Sequence, residues 1–336
     1  MTDFHSRLVD FLEKKHLSTD IEQLTPDAST REYFRIEMPA CSAIACVYPE
    51  RFKAAEQSYL DVTKLFLTAK LPVAEILDFD ESLGIILLED FGDRILREEI
   101  LDASPEKRGD LINQAIALIP KIQAATKIAF DLDSIASKLA FDVEKLTWEL
   151  DFFKTHYFET LQDRRLEVAT SAALDNEFLE ISEELEQKAI VLCHRDFHAA
   201  NLMLDGQNRL RIIDHQDARI GSAAYDLASL LLDRVTSPPT PEWLAEKRRY
   251  FLTERERIGL EKLDERAFAD EFRLQTIQRC LKAAGTFSFQ SATRGKTYFL
   301  PFITPMFEIV LRAAEKLKRF PVLQSILNAE IQKTKS

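Results

Sequence analysis

Phe4, Leu8, Phe11 and Leu12 recur at helical spacing, so the chain is predicted to open with a helix that has one apolar face. The run Leu24-Thr25-Pro26-Asp27-Ala28-Ser29-Thr30-Arg31 breaks that pattern with polar turn chemistry. Two short strands follow, Tyr33-Phe34-Arg35-Ile36 and Ala43-Ile44-Ala45-Cys46-Val47-Tyr48, which read as an antiparallel hairpin. Ala54 to Lys70 returns to helical spacing, with Tyr59, Leu60, Val62, Leu65 and Phe66 as its apolar positions. Ile76-Leu77-Asp78-Phe79 and Gly84-Ile85-Ile86-Leu87-Leu88 read as a second strand pair, turning at Asp80-Glu81-Ser82. Strands, one helix and more strands predict a small α+β lobe. From about residue 105 to 186 the periodicity is helical, as in Leu111, Ile112, Ala115, Ile116, Leu118 and Ile119, and glycine is almost absent. Residues 190–226 form an island of strand and loop, and from Trp243 onward the pattern is mostly helical again. The expected fold class is α+β with two lobes, a small antiparallel-sheet lobe over residues 1–90 and a mainly helical lobe over 91–336.

Composition narrows the picture. A chain of 336 residues with 46% apolar and 30% charged residues can fill two lobes and shows no disordered or fibrous bias. The formal net charge of -12 argues against a nucleic-acid partner but leaves room for a local basic pocket. Cys41, Cys46, Cys193 and Cys280 form no C-x-x-C pair, so they read as buried free thiols of a reducing cytoplasm. No basic segment followed by an apolar stretch opens the chain, and no apolar run approaches the ~18 residues of a membrane span. The expectation is a cytoplasmic protein with no membrane contact, a monomer or weak dimer.

The chemistry is concentrated in the island. An apolar strand, Val191-Leu192-Cys193, delivers the polar loop His194-Arg195-Asp196-Phe197-His198-Ala199-Ala200-Asn201, and a second apolar strand, Leu210-Arg211-Ile212-Ile213, ends in Asp214. His194-Arg195-Asp196 with Asn201 has the spacing H-R-D-x-x-x-x-N of a phosphoryl-transfer catalytic loop. In that chemistry one carboxylate orients an attacking hydroxyl, while an amide oxygen and a second carboxylate hold a cation. Asp196 is therefore the candidate base, and Asn201 and Asp214 are the candidate magnesium ligands of an ATP-dependent kinase. A rival reading takes His194, Asp196, His198 and Asp214 as a zinc or di-metal hydrolase centre, although no H-E-x-x-H is present. A non-catalytic pseudokinase is a third reading, against which all three key side chains are present.

The catalytic loop resembles that of the aminoglycoside and choline phosphotransferase superfamily, a branch of the protein-kinase-like fold. Ile213-Asp214-His215-Gln216-Asp217-Ala218, followed by Tyr225-Asp226-Leu227-Ala228-Ser229-Leu230-Leu231, is similar to the bacterial amino-sugar kinases of cell-wall recycling. Asp27-Ala28-Ser29-Thr30-Arg31-Glu32-Tyr33-Phe34-Arg35 and Gln278-Arg279-Cys280-Leu281-Lys282-Ala283-Ala284-Gly285-Thr286-Phe287 extend the resemblance over nearly the whole chain. It implies ATP with Mg2+, and a small-molecule acceptor, the anomeric hydroxyl of N-acetylmuramate or N-acetylglucosamine. Another small alcohol, sugar or aminoglycoside is the alternative acceptor. The Asp27 to Arg31 loop, with Ser29, Thr30 and Arg31, would cover the phosphates. Leu88, Glu89 and Asp90 would form the adenine-binding hinge, and Asp226 would buttress the catalytic loop.

The chain departs from protein kinases in having no G-x-G-x-x-G and no lysine in Ala45-Cys46-Val47-Tyr48. Arg31, Arg35 and Lys53 are candidate replacement cations, with Arg31 favoured because an arginine binds phosphate bidentately, and Glu56 is a candidate partner. Phe130, Phe141, Trp148, Phe152, Phe153, Tyr157 and Phe158 form an aromatic stripe, read as core with a sugar platform as the alternative. Arg279, Lys282 and Lys296 are candidates for the carboxylate of an acidic sugar, and Phe299 to Met306 reads as an apolar loop.

Overall fold

The structure is a computed structural model that describes residues 4–24, 30–39 and 41–335. Its first part is a five-stranded antiparallel sheet in the order β1-β2-β3-β5-β4, built from β1 (Ile21–Leu24), β2 (Glu32–Glu37), β3 (Ser42–Val47), β4 (Ile76–Asp80) and β5 (Ile85–Glu89). The two predicted hairpins are β2–β3 and β4–β5, joined through the β3–β5 ladder. The helix Phe4–Lys14 buries Leu8, Phe11 and Leu12 against Phe34, Ile36, Ala43, Ala45, Val47, Ile85 and Leu87, one face of the sheet. Period-two alternation explains that grouping, since Phe34 and Ile36 of β2 share a face with Ala43 and Ala45 of β3.

β1 was not expected, because its half-buried edge pattern carries no clean alternation. The predicted helix 54–70 is a short 3-10 turn, Ala54–Glu56, followed by the helix Ser58–Thr68, with the Gln57 side chain capping Tyr59 N between them. Gly84 closes the β4–β5 turn at φ +68, with a Cβ position only 2.6 Å from Glu50 O, so a side chain there would meet backbone.

The remainder is mainly helical, and most of its apolar side chains belong to one continuous core. The 30-residue helix Glu265–Arg294 runs through its middle and packs on the helix Val143–Phe153, on the π-helix Lys154–Leu161 and on the helix Ile303–Leu317. Gly285 permits that approach: its Cβ position would stand 2.6 Å from Phe153 Cα. The aromatic stripe divides. Phe141, Phe153, Tyr157 and Phe158 are buried, while Phe130 and Trp148 are exposed. The predicted loop Phe299 to Met306 is instead a 3-10 turn, Thr297–Phe302, running into a helix, with Phe299 stacked on Phe287. Cys46, Cys193 and Cys280 are buried free thiols, but Cys41 is exposed, because it sits in the β2–β3 turn. Among the described residues no helix is long and apolar enough to cross a membrane.

Candidate active site

Two small two-stranded sheets carry the catalytic island. β6 (Val191–Cys193) pairs with β9 (Arg219–Gly221), and β7 (Leu202–Leu204) pairs with β8 (Leu210–Ile212). The apolar residues of these strands anchor in the core, so the polar ends Asp196–Asn201 and Asp214 are delivered side by side. Asn201 Nδ2 donates to the backbone oxygen of Asp196 at 2.9 Å and approaches Asp214 Oδ2 at 3.4 Å. The backbone closes the same loop, Ile213 N donating to Asn201 O at 3.1 Å. The three residues singled out from spacing therefore share one site. Arg195, next to Asp196, and Asp214 itself hold positive φ, 83 and 60, which L side chains rarely adopt.

The constraint comes from beneath. The buried carboxylate of Asp226 accepts from the backbone N–H of His194 at 2.7 Å and of Arg195 at 3.1 Å, pinning the loop to the helix Tyr225–Leu232. His194 Nε2 donates to Ile213 O at 3.0 Å, tying the loop to the β8 end. His215 shares a 2.7 Å hydrogen bond with Thr63 Oγ1 and lies against Tyr59 and Phe66; burial, with His194 and Arg31 nearby, pushes its pKa down to about 3, so the ring is neutral. His194 and His215 thus serve separate structural contacts. Among the described residues no group of three His, Cys, Asp or Glu side chains is placed to hold a metal.

A dense ionic network surrounds Asp196. Lys282 Nζ stands 3.5 Å and Arg279 Nη1 3.9 Å from its Oδ1, and Arg195 Nε 3.8 Å from its Oδ2. Burial alone would raise the Asp196 pKa, but Lys282, Arg195 and Arg279 outweigh it and hold the carboxyl far below the ordinary range. Arg279 is held in turn by Tyr225 OH at 3.1 Å and Ser229 Oγ at 2.8 Å. Glu149, only 1% exposed, lies behind Lys282 at 3.6 Å and accepts from Gln278 at 2.7 Å. Sequence reasoning passed over Glu149. The signal was present: it shares a helical face with Leu146 and Phe153, three and four residues away, where an ordinary surface glutamate would not sit.

On the sheet side Arg31 Nη2 reaches Asp214 Oδ1 at 3.3 Å, with its guanidinium near the Tyr33 and Tyr48 rings. The other two candidate cations go elsewhere. Arg35 pairs with Asp90 at 2.7 Å and Asp93 at 2.6 Å, and Lys53 pairs with Glu56 on the surface at 2.9 Å. Thr30 is an exposed bend residue, and Ser29 lies outside the described residues. At the expected hinge, Glu89 is bound by Arg211 at 2.8 Å, Asp90 is held by Arg35 and by Ser42 Oγ, and Leu88 is buried. Leu88, Phe91, Cys46 and Ala74 form an apolar cluster against which Tyr33, Tyr48, Ile76, Met203 and Ile213 pack. Met203 and Ile213 bring this cluster to the catalytic strands, a contact that no local pattern announced. Of the basic residues considered for an acidic acceptor, Arg279 and Lys282 converge on Asp196, whereas Lys296 lies beyond the left-handed cap Gly295.

The family model described as the phosphotransferase enzyme family matches residues 20–265. The chain belongs to that family. Over 316 residues, the phosphotransferase is 27% identical to the N-acetylmuramate/N-acetylglucosamine kinase of Neisseria meningitidis serogroup B, covering 92% of this chain and 90% of that one. The N-acetylmuramate/N-acetylglucosamine kinase of Pseudomonas aeruginosa is 29% identical over 307 residues, 90% of this chain and 86% of that one. Among solved structures, an aminoglycoside phosphotransferase in ternary complex with AMP-PNP and hygromycin B superposes with a TM-score of 0.57 at 19% identity, covering 91% of this chain and 98% of that chain. The small antiparallel sheet with a mainly helical remainder is thus the kinase-like fold, and the enzyme transfers phosphoryl groups to an alcohol.

Proposed function

We propose that this phosphotransferase uses ATP to phosphorylate the anomeric hydroxyl of N-acetylmuramate and N-acetylglucosamine in the cytoplasm. The convergence of Asp196, Asn201 and Asp214 at the joint between sheet and helices carries the reading, and the relatives' shared name supports the acceptor. In this reading residues 1–90 form the nucleotide-binding lobe and residues 91–336 the catalytic and acceptor-binding lobe. Adenine enters the apolar cluster of Leu88, Phe91, Tyr33 and Met203. Because the Glu89 and Asp90 side chains are engaged by arginines, the hinge offers its backbone.

Asp196 accepts a hydrogen bond from the acceptor hydroxyl and aims its oxygen for in-line attack. The new bond joins that oxygen to the γ-phosphorus, the bond from γ-phosphorus to the β,γ-bridging oxygen breaks, ADP departs, and the hydroxyl proton passes to the Asp196 carboxylate. Arg31, beside Asp214, stands ready for the phosphates. Residues for magnesium fit. Asn201 Nδ2 is committed to Asp196 O and Asp214, which turns Oδ1 into the ligand atom, and Asp214 adds a carboxylate that is 41% exposed on its side chain. Two hard oxygen donors suit a cation that keeps water and phosphate oxygens as its other ligands. When bound, magnesium neutralises charge on the β- and γ-phosphates.

The surroundings of Asp196 also speak against a polycationic acceptor. Lys282, Arg279 and Arg195 already line the base, and an aminoglycoside would bring further positive charge to them. The test is a screen with radiolabelled ATP over N-acetylmuramate, N-acetylglucosamine, glucosamine, choline and kanamycin. An acid-labile phosphate on the two N-acetyl sugars is expected. Turnover confined to choline or kanamycin, or an acid-stable sugar phosphate, rules the reading out.

A further inference from the structure

One ammonium near the site is held in place yet poorly matched by negative charge. Lys145 lies on the helix Val143–Phe153, one turn before Glu149. Its Nζ stands 4.0 Å over the Trp148 ring, and Trp148 is 55% exposed. The carboxylate nearest to it, Glu149 Oε1, is 3.9 Å away, beyond a hydrogen bond. That oxygen is buried without a hydrogen-bond partner and is shared with Lys282. The other charges facing Lys145 are Arg195 and Arg219, which repel it, and Asp217, which Arg195 engages at 3.1 Å. Among the described residues of this network, Lys145, Arg195, Arg219, Arg279 and Lys282 face Glu149, Asp196 and Asp217, five cations against three carboxylates. A local surplus of positive charge in a chain of net charge -12 is a receptor for an anion.

Position decides which cation meets it. A carboxylate seated on Lys282 would lie against the Asp196 carboxylate, at 3.5 Å from the same ammonium. Arg279 is engaged by Tyr225 and Ser229, Arg195 by Asp217, and Arg219 by the Asp217 backbone oxygen at 3.2 Å and the Phe141 ring. Lys145 remains. It is linked to Asp196 by successive ion-pair spans of 3.9, 3.6 and 3.5 Å through Glu149 and Lys282, which keeps it within the span of a substituted monosaccharide. Resting on the amino-sugar reading above, we propose that Lys145, seated on Trp148 and backed by Glu149, binds the lactyl carboxylate that N-acetylmuramate carries and N-acetylglucosamine lacks. Lys145 is thus a specificity-determining residue: it leaves the chemical step alone and favours the acidic sugar.

The experiment compares kcat and KM of the wild type and Lys145→Met with each sugar at saturating Mg-ATP. The expected result is a loss of roughly ten- to a hundred-fold in kcat/KM for N-acetylmuramate, carried mainly by KM, and a change within about two-fold for N-acetylglucosamine. Lys145→Arg should restore part of the loss, and Lys145→Glu should deepen it for the acidic sugar alone. Lys145→Gln serves equally should the methionine variant fail to fold. Equal losses with both sugars, or none with either, overturn the assignment. So does a wild type that phosphorylates only N-acetylglucosamine, a result that leaves the amino-sugar reading standing. A wild type that phosphorylates neither removes both.

Discussion

At the residue scale the site is a problem in burying charge. Glu149 is nearly inaccessible, and burial alone would favour its neutral form. Lys282, Arg279 and Arg195, helped by the Gln278 hydrogen bond, outweigh that and lower its pKa. A carboxyl whose folded-state pKa is depressed contributes stability above its unfolded pKa and loses it as pH falls through the folded value. Glu149→Gln keeps the shape but not the charge. It should cost roughly 1–3 kcal/mol at neutral pH. Urea unfolding should show the wild type losing more stability than the variant as pH falls below the ordinary glutamate pKa of about 4.3. Parallel loss in the two proteins would show that the network adds nothing to acid stability. The candidate base and metal ligands were legible because their chemistry demands fixed types at fixed spacing. Glu149 and Lys145 were not, because a charged residue in a helix announces itself only through the face it shares.

At the element scale, period-two and period-3.6 patterning exposed β2 and the opening helix, which bury one face, whereas β5 was exposed as a continuous apolar run, Ile85 to Leu88, buried on both faces. It did not expose β1, a short edge strand, or the π-helix Lys154–Leu161, whose eight residues are too few for apolar spacing to tell i→i+5 from i→i+4 bonding. The close approach of Gly285 to Phe153 lies between segments far apart in sequence, and a single glycine in a helix does not name its partner. Gly285→Ala sets a methyl group against backbone. It should destabilise by about 1–3 kcal/mol, read as a lower thermal midpoint. An unchanged midpoint would mean that the helices move apart at no cost.

At the scale of the whole molecule, an acidic chain gathers basic side chains around Asp196, Glu149 and Asp217 from separate segments. Arg195 comes with the catalytic loop, Arg279 and Lys282 from the long helix, and Lys145 from the helix beside it. That assembly is a tertiary product, which explains why the fold was readable from patterns while Arg279 and Lys282 could be named as candidates but not placed beside Asp196. The nucleotide side makes its own prediction. Chelation of divalent cations should abolish turnover and added magnesium should restore it, whereas Asp214→Ala should lose magnesium-dependent affinity for ATP by calorimetry. Undiminished Mg-ATP binding by that variant would take Asp214 out of the site.

The central claim is that one carboxylate orients the sugar hydroxyl while the nucleotide is held elsewhere. It is tested most directly by single-turnover phosphorylation of N-acetylmuramate by the wild type and Asp196→Asn at saturating Mg-ATP. Transfer should fall by roughly 10²–10⁴-fold in the variant with ATP affinity unchanged. Near-normal transfer by Asp196→Asn would contradict the account.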